Sequence, residues 1–480
     1  MKTFSLAERS CIVLAFCVAA ALPSPAQTFT TLASFNSTGG YTPNPGLVQG
    51  FNGNFYGTTY QSDGGNGLGT VFEITAAGKL GMLNSFDYSN GAQPVVGLAQ
   101  ASNGNLYGTT SYGGTQAAGT VFEVTPAGTL TALYNFCSVI STRGLCGDGY
   151  GGEGIVQASD GTFYGTTTSG GDGAGVNGTV FKITPAGVLT TLYTFCPDYP
   201  SCGTDGSDPL GLVQGSNGNF YGVTASGGVN AHGTIFEITP AGKLTTLYSF
   251  CSLTNCADGT SPVALVQATN GNFYGTTRMG GSYSSSCHAF GCGTIFEMTP
   301  TGKLTTLHTF QLTDGAEPSA LVQATNGNFY GVCGLGTTTD DVGTIFEITT
   351  AGALTALHTF TFTDGAYPDG LVQGTDGSFY GTTSAGGANG VGAVFSLSAG
   401  LGPFVETLPN AAKVGTKVAI LGNNLTGTTR VTFNGPPAKF TAVSDTEIKA
   451  TVPTGATTGV VEVVTPGGTL SSNVRFRVTP

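Results

Sequence analysis

Residues 211–250 read GLVQGSNGNFYGVTASGGVNAHGTIFEITPAGKLTTLYSF. Four short apolar runs are separated there by turn residues, the pattern of consecutive antiparallel strands. Asn217-Gly218 joins the first two runs and Pro240-Ala241-Gly242 the last two; Asn-Gly pairs tolerate the left-handed angles that tight hairpins require. The stretch is one of seven related copies that fill residues 28–398. Their shared tyrosine falls at Tyr56, Tyr107, Tyr164, Tyr221, Tyr274, Tyr330 and Tyr380, giving spacings of 51, 57, 57, 53, 56 and 50 residues. Four-stranded repeats of that period predict propeller blades. The copies also start and stop out of phase. Phe29–Phe35 is an orphan LTTLYSF-type run, and the last copy ends at Val394–Ser398 without one. One strand from each end completes a single blade, so the expected fold is all-β: a seven-bladed β-propeller closed by an N-terminal strand, with a smaller domain behind it.

With the strands of a copy lettered a to d, the a–b and c–d turns are short and uniform, whereas the b–c and d–a loops vary. In an up-and-down blade those two loops emerge on one face, which is where ligand contacts are expected. Charged residues make up only 9% of the 480, and 78 glycines account for the shortfall. The 40% apolar content, with 30 Phe and 18 Tyr, supplies the surface a packed core needs. A formal net charge of −12 argues against nucleic acid and anionic membranes as partners.

Lys2 and Arg9, the apolar run Cys11–Leu22 and the small residues Ser24-Pro25-Ala26 read as a secretory signal over residues 1–26. No later run is long enough for a membrane helix. Eight of the remaining cysteines fall into close pairs: Cys137 with Cys146, Cys196 with Cys202, Cys251 with Cys256, and Cys287 with Cys292. Local disulfides in an exported protein are the expectation. Cys333 is left over as a half-buried thiol.

Side chains that recur in every copy are read as packing groups, because a catalytic site on a pseudosymmetric repeat should break the symmetry. Glu73, Glu123, Glu237, Glu297 and Glu347 are therefore structural carboxylates, and His308 and His358 stand in for the tyrosines of other copies. Asp148, Asp205, Asp258, Asp314 and Asp364 each precede a glycine; they read as turn-forming, with a calcium-binding rim as the alternative. No cofactor is implied, and calcium is the one ion for which ligands are offered. The signatures GxSxG, HExxH and the phosphate loop are missing, and the GxGxxG of Gly173, Gly175 and Gly178 has no helix after it. Aromatic and symmetry-breaking residues of the variable face form the candidate ligand set: Tyr60, Tyr112, Arg143, Tyr150, Tyr199, Arg278, Tyr283 and Tyr367. Aromatic rings beside short polar groups suit sugars.

The recurring NGNFYGTT, the double glycine as in Gly227-Gly228, and GTxFExTPxGxLTxLxxF resemble the GloVer (Gloeo/Verruco) tandem repeats of exported bacterial proteins. That resemblance carries no catalytic residues with it. Residues 403–480, with VGTKVAILGNNL and a terminal VRFRVTP, resemble an IPT/TIG domain, which implies an immunoglobulin-like β-sandwich serving as a spacer. The expected organisation is signal 1–26, repeats 27–398, linker 399–402 and sandwich 403–480. The function expected is that of a non-catalytic protein, secreted, periplasmic or at the cell surface, that binds carbohydrate or a surface protein. A polysaccharide hydrolase or lyase using loop carboxylates, and a purely structural adhesion component, are the alternatives.

Overall fold

The computed structural model describes residues 27–36, 39–62, 67–141, 144–172, 177–197, 204–281, 287, 291–336 and 342–480. Residues 1–26, read above as a secretory signal, lie outside them, and no helix of the described residues is long and apolar enough to cross a membrane. In the fourth copy, strands Ser207–Gln214, Phe220–Ser226, Thr234–Ile238 and Leu244–Ser249 pair antiparallel in chain order. The Asn-Gly and Pro-Ala-Gly segments close the two hairpins, with Gln214 opposite Phe220 and Ile238 opposite Leu244. The other repeats form antiparallel sheets of four or five strands. In the first two copies strand a is split, Tyr41–Pro43 from Val48–Gln49 and Ala92–Pro94 from Ala99–Gln100. One extra residue between the proline and the leucine of GLVQ or GLAQ forces that break.

Strand c reads TIFEI, and four of its five residues are buried. Consecutive burial means that both faces of the sheet are covered, so neighbouring sheets pack face to face. Aromatic rings make the contact: Phe195 of one sheet meets Phe236 of the next edge-on at 5.2 Å, and Phe250 meets Phe296 at 5.3 Å. The glycine after the repeated tyrosine leaves space for that c-strand ring; a Cβ on Gly222 would lie 2.6 Å from Phe236 Cζ.

The same contacts run from the end of the repeats back to their start. Thr28–Ser34 pairs antiparallel with Ala393–Ser398 in a sheet that also holds Ala366–Gln373 and Phe379–Ala385. From this strand Phe29 stacks on His358 at 3.6 Å, and the fully buried Phe35 meets Phe72 of the first sheet at 5.0 Å. Tyr380 stacks on Phe55 at 4.0 Å.

Behind the repeats, two antiparallel sheets containing Lys417–Leu421 and Arg430–Phe433 enclose a separate core of Val418, Ile420, Val431, Phe433, Ile448, Val461, Val463 and Phe476. As a spacer on a glycine-rich linker this domain would share few contacts with the repeats, and those it makes are a handful of hydrogen bonds. Asn423 Nδ2 donates to Thr375 Oγ1 at 2.7 Å, Thr446 Oγ1 to Phe51 O at 2.7 Å, and Asn473 Nδ2 to Gln323 O at 3.2 Å. All three partners sit at a–b turns, so the sandwich lies on the turn side of the sheets.

Candidate functional site

A cavity of about 790 Å³ is lined by strand a of successive sheets, from Pro45-Gly46 and Val96-Gly97 through Glu153-Gly154 and Leu210-Gly211 to Ser319-Ala320 and Asp369-Gly370. Small residues before the GLVQ leucine let these strands approach; a Cβ on Gly97 would lie 2.6 Å from Gly46 O. The preceding position points chemistry into the cavity. It is apolar in most copies but carries Glu153 and Asp369 in two, with Ser319 beside the latter. Burial pushes the Glu153 carboxyl up to about 7. Burial also raises Asp369, against the opposing pull of Ser319 and Arg278.

On the loop side, the residue before the strand-a proline holds a positive φ in most copies, among them Gln93, Asp208, Glu317 and Tyr367 at 53° to 55°. That left-handed geometry costs non-glycine residues of order 1 kcal/mol. A hydrogen bond to the preceding sheet holds it, as where Tyr367 N donates to Val342 O at 2.6 Å. Strand b of one sheet reaches the same residue of the next. Tyr60 Oη donates to Gln93 Oε1 at 2.9 Å, and at the equivalent site Arg278 Nε and Nη2 donate to Glu317 Oε2 at 3.1 and 2.9 Å.

The structure thus brings Arg278 and Tyr367 of the candidate set to one cavity. Tyr112 and Tyr150 form a different group, with rings edge-on at 6.1 Å. Tyr60 is held by Gln93, while Arg143, Tyr199 and Tyr283 lie outside the described residues. Glu153, Asp369 and Glu317 escape a search for broken symmetry that is confined to loops; the same criterion applied to strand a singles them out.

The recurring carboxylates are occupied. Asn54 Nδ2 and Tyr56 Oη donate to Glu73 at 2.7 and 2.8 Å, and the same trio forms around Glu123, Glu237, Glu297 and Glu347. The Asp-Gly carboxylates accept from strand d: Tyr134 Oη on Asp148 at 2.6 Å and Tyr248 Oη on Asp258 at 2.8 Å, with His308 against Asp314 at 2.9 Å in the tyrosine's place. Among the described residues Asp148 Oδ1 is buried without a hydrogen-bond partner.

Disulfides join Cys137 to Cys146, Cys251 to Cys256 and Cys287 to Cys292, as suits an oxidising compartment outside the cytosol. Cys196 is disulfide-bonded as well, and Cys202 lies outside the described residues. His232 stands within 4.8 Å of the sulfurs of Cys251 and Cys256, whose bond to each other removes the thiolates a metal would need. Cys333 is a correction: it is fully buried rather than half-buried, and burial pushes its thiol far up.

Among solved structures, a fungal alcohol oxidase of the AA5 family in complex with copper is 14% identical, covering 94% of this chain and 99% of its own, with a TM-score of 0.50. PorZ, a surface component of the type-IX secretion system of Porphyromonas gingivalis, is 14% identical over 93% of this chain and 61% of its own, with a TM-score of 0.49. Likeness at that identity speaks of fold alone. No curated protein matches the sequence. The Gloeobacter/Verrucomicrobia repeat model matches residues 20–150, 141–290 and 282–430, and the IPT/TIG model matches residues 405–478. The chain is a member of the Gloeobacter/Verrucomicrobia repeat family with a TIG domain behind its repeats.

Proposed function

We propose that the protein is an exported seven-bladed β-propeller, closed by its N-terminal strand, that binds extracellular carbohydrate from the loop side. The pairing of Thr28–Ser34 with Ala393–Ser398 and the packing of Phe35 on Phe72 support closure. On this reading the strand-a cavity is the axial channel. The observation that carries the function is chemical asymmetry in a repeated frame: equivalent strand-a positions hold Pro45, Val96, Leu210 and Val263 in four copies but Glu153, Ser319 and Asp369 in three. Structural repetition has no use for that difference, whereas hydroxyl recognition uses carboxylates and hydroxyls beside an exposed ring such as Tyr367. Outward of these groups, Tyr60, Tyr112, Tyr150 and the loops with Arg143, Tyr199 and Tyr283 would widen the ligand surface. Calcium at the Asp-Gly rim would bind best at Asp148, whose Oδ1 has no hydrogen-bond partner among the described residues.

One observation favours hydrolysis as the second reading. A carboxyl held near neutrality by burial is what a general acid requires, and Glu153 has that property. A polysaccharide panel, scored for retention of the protein and for released sugar, separates the two. Retention without product supports the binding reading; product formation abolished by Glu153→Gln replaces it with the hydrolase. Neither retention nor product would overturn both in favour of a structural role.

A further inference from the structure

A second cavity, of about 660 Å³, lies between the turn side of the sheets and the sandwich. Its repeat-side wall includes Ser216, Thr269 and the GLVQ valines and glutamines; its sandwich wall includes Phe404, Glu406, Asn410, Asn473, Arg475 and Arg477. The glutamines are already engaged. Gln267 Oε1 accepts from Ser216 N at 2.7 Å and its Nε2 donates to Gly271 O at 3.0 Å.

The arginines are different. In VRFRV, Phe476 is buried in the sandwich core, so Arg475 and Arg477 project from the opposite face of the same extended segment, toward the sheets. Among the described residues their guanidinium groups make only long hydrogen bonds: Arg475 Nη2 to Thr458 O at 3.5 Å and Arg477 Nη2 to Ser159 Oγ at 3.4 Å. Among the described residues neither forms a salt bridge, although acidic residues outnumber basic ones 27 to 15 in the chain. Arg477 is half-buried and burial lowers its pKa, so a charge is held partly out of water with no salt-bridge partner among the described residues. Such an arrangement is unfavourable until an anion completes it. Guanidinium forks pair bidentately with two oxygens of a carboxylate or of a tetrahedral oxyanion.

We propose that this cavity binds the oxyanion of a small organic ligand, a carboxylated or sulfated sugar, between Arg475 and Arg477. Asn410 and Asn473 lie beside them to orient the ligand's hydroxyls. Glu406, which faces the same space, opposes the anion, so its charge sets a limit on affinity. The site is separate from the loop-side cavity and differs from it in sign.

The test is calorimetric titration of the full mature chain with a hexuronate trisaccharide, a sulfated trisaccharide, a neutral hexose trisaccharide and inorganic sulfate. Binding of one or both charged sugars, weakened about tenfold or more by Arg475→Gln or Arg477→Gln and strengthened by Glu406→Gln, is the expected result. The preferred charged sugar identifies the oxyanion. Equal binding of the neutral sugar, tighter binding of inorganic sulfate than of either sugar, no binding at all, or affinities unchanged in the variants would overturn the proposal. Arg475 is exposed, so its variant should fold and keep the test decisive if Arg477→Gln does not. Loop-side carbohydrate retention should be unaffected, which separates failure here from failure of the function proposed above.

Discussion

The turn side and the loop side of these sheets are built from the same strands, yet they obey opposite rules. On the turn side the glutamine of GLVQ makes the same bond from copy to copy. Its Oε1 accepts from the turn of the preceding sheet, as from Ser159 N to Gln214 at 3.2 Å and Thr269 N to Gln323 at 2.8 Å. Gln49 does the same for Thr375 N at 2.9 Å across a separation of 326 residues, and Gln100, oriented to satisfy both its groups, accepts from Phe51 N at 3.0 Å. On the loop side the equivalent strand-b site is Tyr60 in one copy, Arg278 in another and Ala225 in a third. Repetition marks what holds the fold, and departure from it marks where a ligand would be read. The sandwich qualifies the rule: it brings symmetry-breaking groups to the uniform side from outside the repeats.

The strongest way to break this comparison is to remove the strand that joins the two ends. Deleting residues 27–36 strips strand Ala393–Ser398 of its outer partner, leaving it paired only with Phe379–Ala385, and removes Phe29 and Phe35. Loss of one large buried aromatic side chain costs about 3–5 kcal/mol, and an exposed strand edge adds a route to aggregation. We expect cooperative melting to be lost. Removing residues 403–480, a far larger piece, should lower the melting temperature of the repeats by only several degrees, because the sandwich holds them mainly by surface hydrogen bonds and has its own core. Thermal melts of both truncations read the outcome. If the short deletion melts like the full chain, the closed arrangement is wrong.

A finer test addresses the relay of glutamines. Gln49→Ala leaves the buried Thr375 N–H without an acceptor, a loss of about 1–3 kcal/mol. Gln214→Ala, far from either end, cuts the equivalent bond from the half-buried Ser159 N–H. On a closed arrangement the terminal cut should destabilise at least as much as this internal one, whereas in an open stack it should matter less. Denaturant midpoints of the pair decide between them.

Much of the fold was legible because its determinants are local and repeated. Asn217-Gly218 fixes one hairpin, Pro240-Ala241-Gly242 the other, and the displaced Phe29–Phe35 run points to its distant partner. The candidate site was only partly legible. Arg278 stood out as a charge in a loop-side sequence, but nothing local pairs it with Glu317, which lies 39 residues away on the next sheet. Glu153 stands in the glycine-rich GYGGEG of residues 149–154, and its meaning depends on the equivalent strands that surround it. The docking of the sandwich was illegible for a different reason: Thr446 and Asn423 are ordinary surface residues whose partners at Phe51 O and Thr375 Oγ1 no sequence pattern specifies.

The smallest expected effect sharpens the comparison by asking how dry the loop-side cavity is. Glu153 has its carboxyl raised by burial from 4.5 to about 7, so the native state holds a proton that the unfolded chain has released between those values. By linkage, the stabilising contribution is complete below the unfolded value and falls as pH rises toward 7. A shift of this size corresponds to at most about 3 kcal/mol, and water in the cavity should screen it to about 1 kcal/mol. Asp208 and Asp369 are also raised by burial, act in the same direction and remain in both proteins, so a variant at position 153 isolates one group. Glu153→Gln should therefore be about as stable as the parent at pH 5 and more stable at pH 8. Melting curves across that range are the measurement. If the two proteins keep the same difference at every pH, Glu153 is fully hydrated and the loop side binds through its rim rather than through the strand-a cavity.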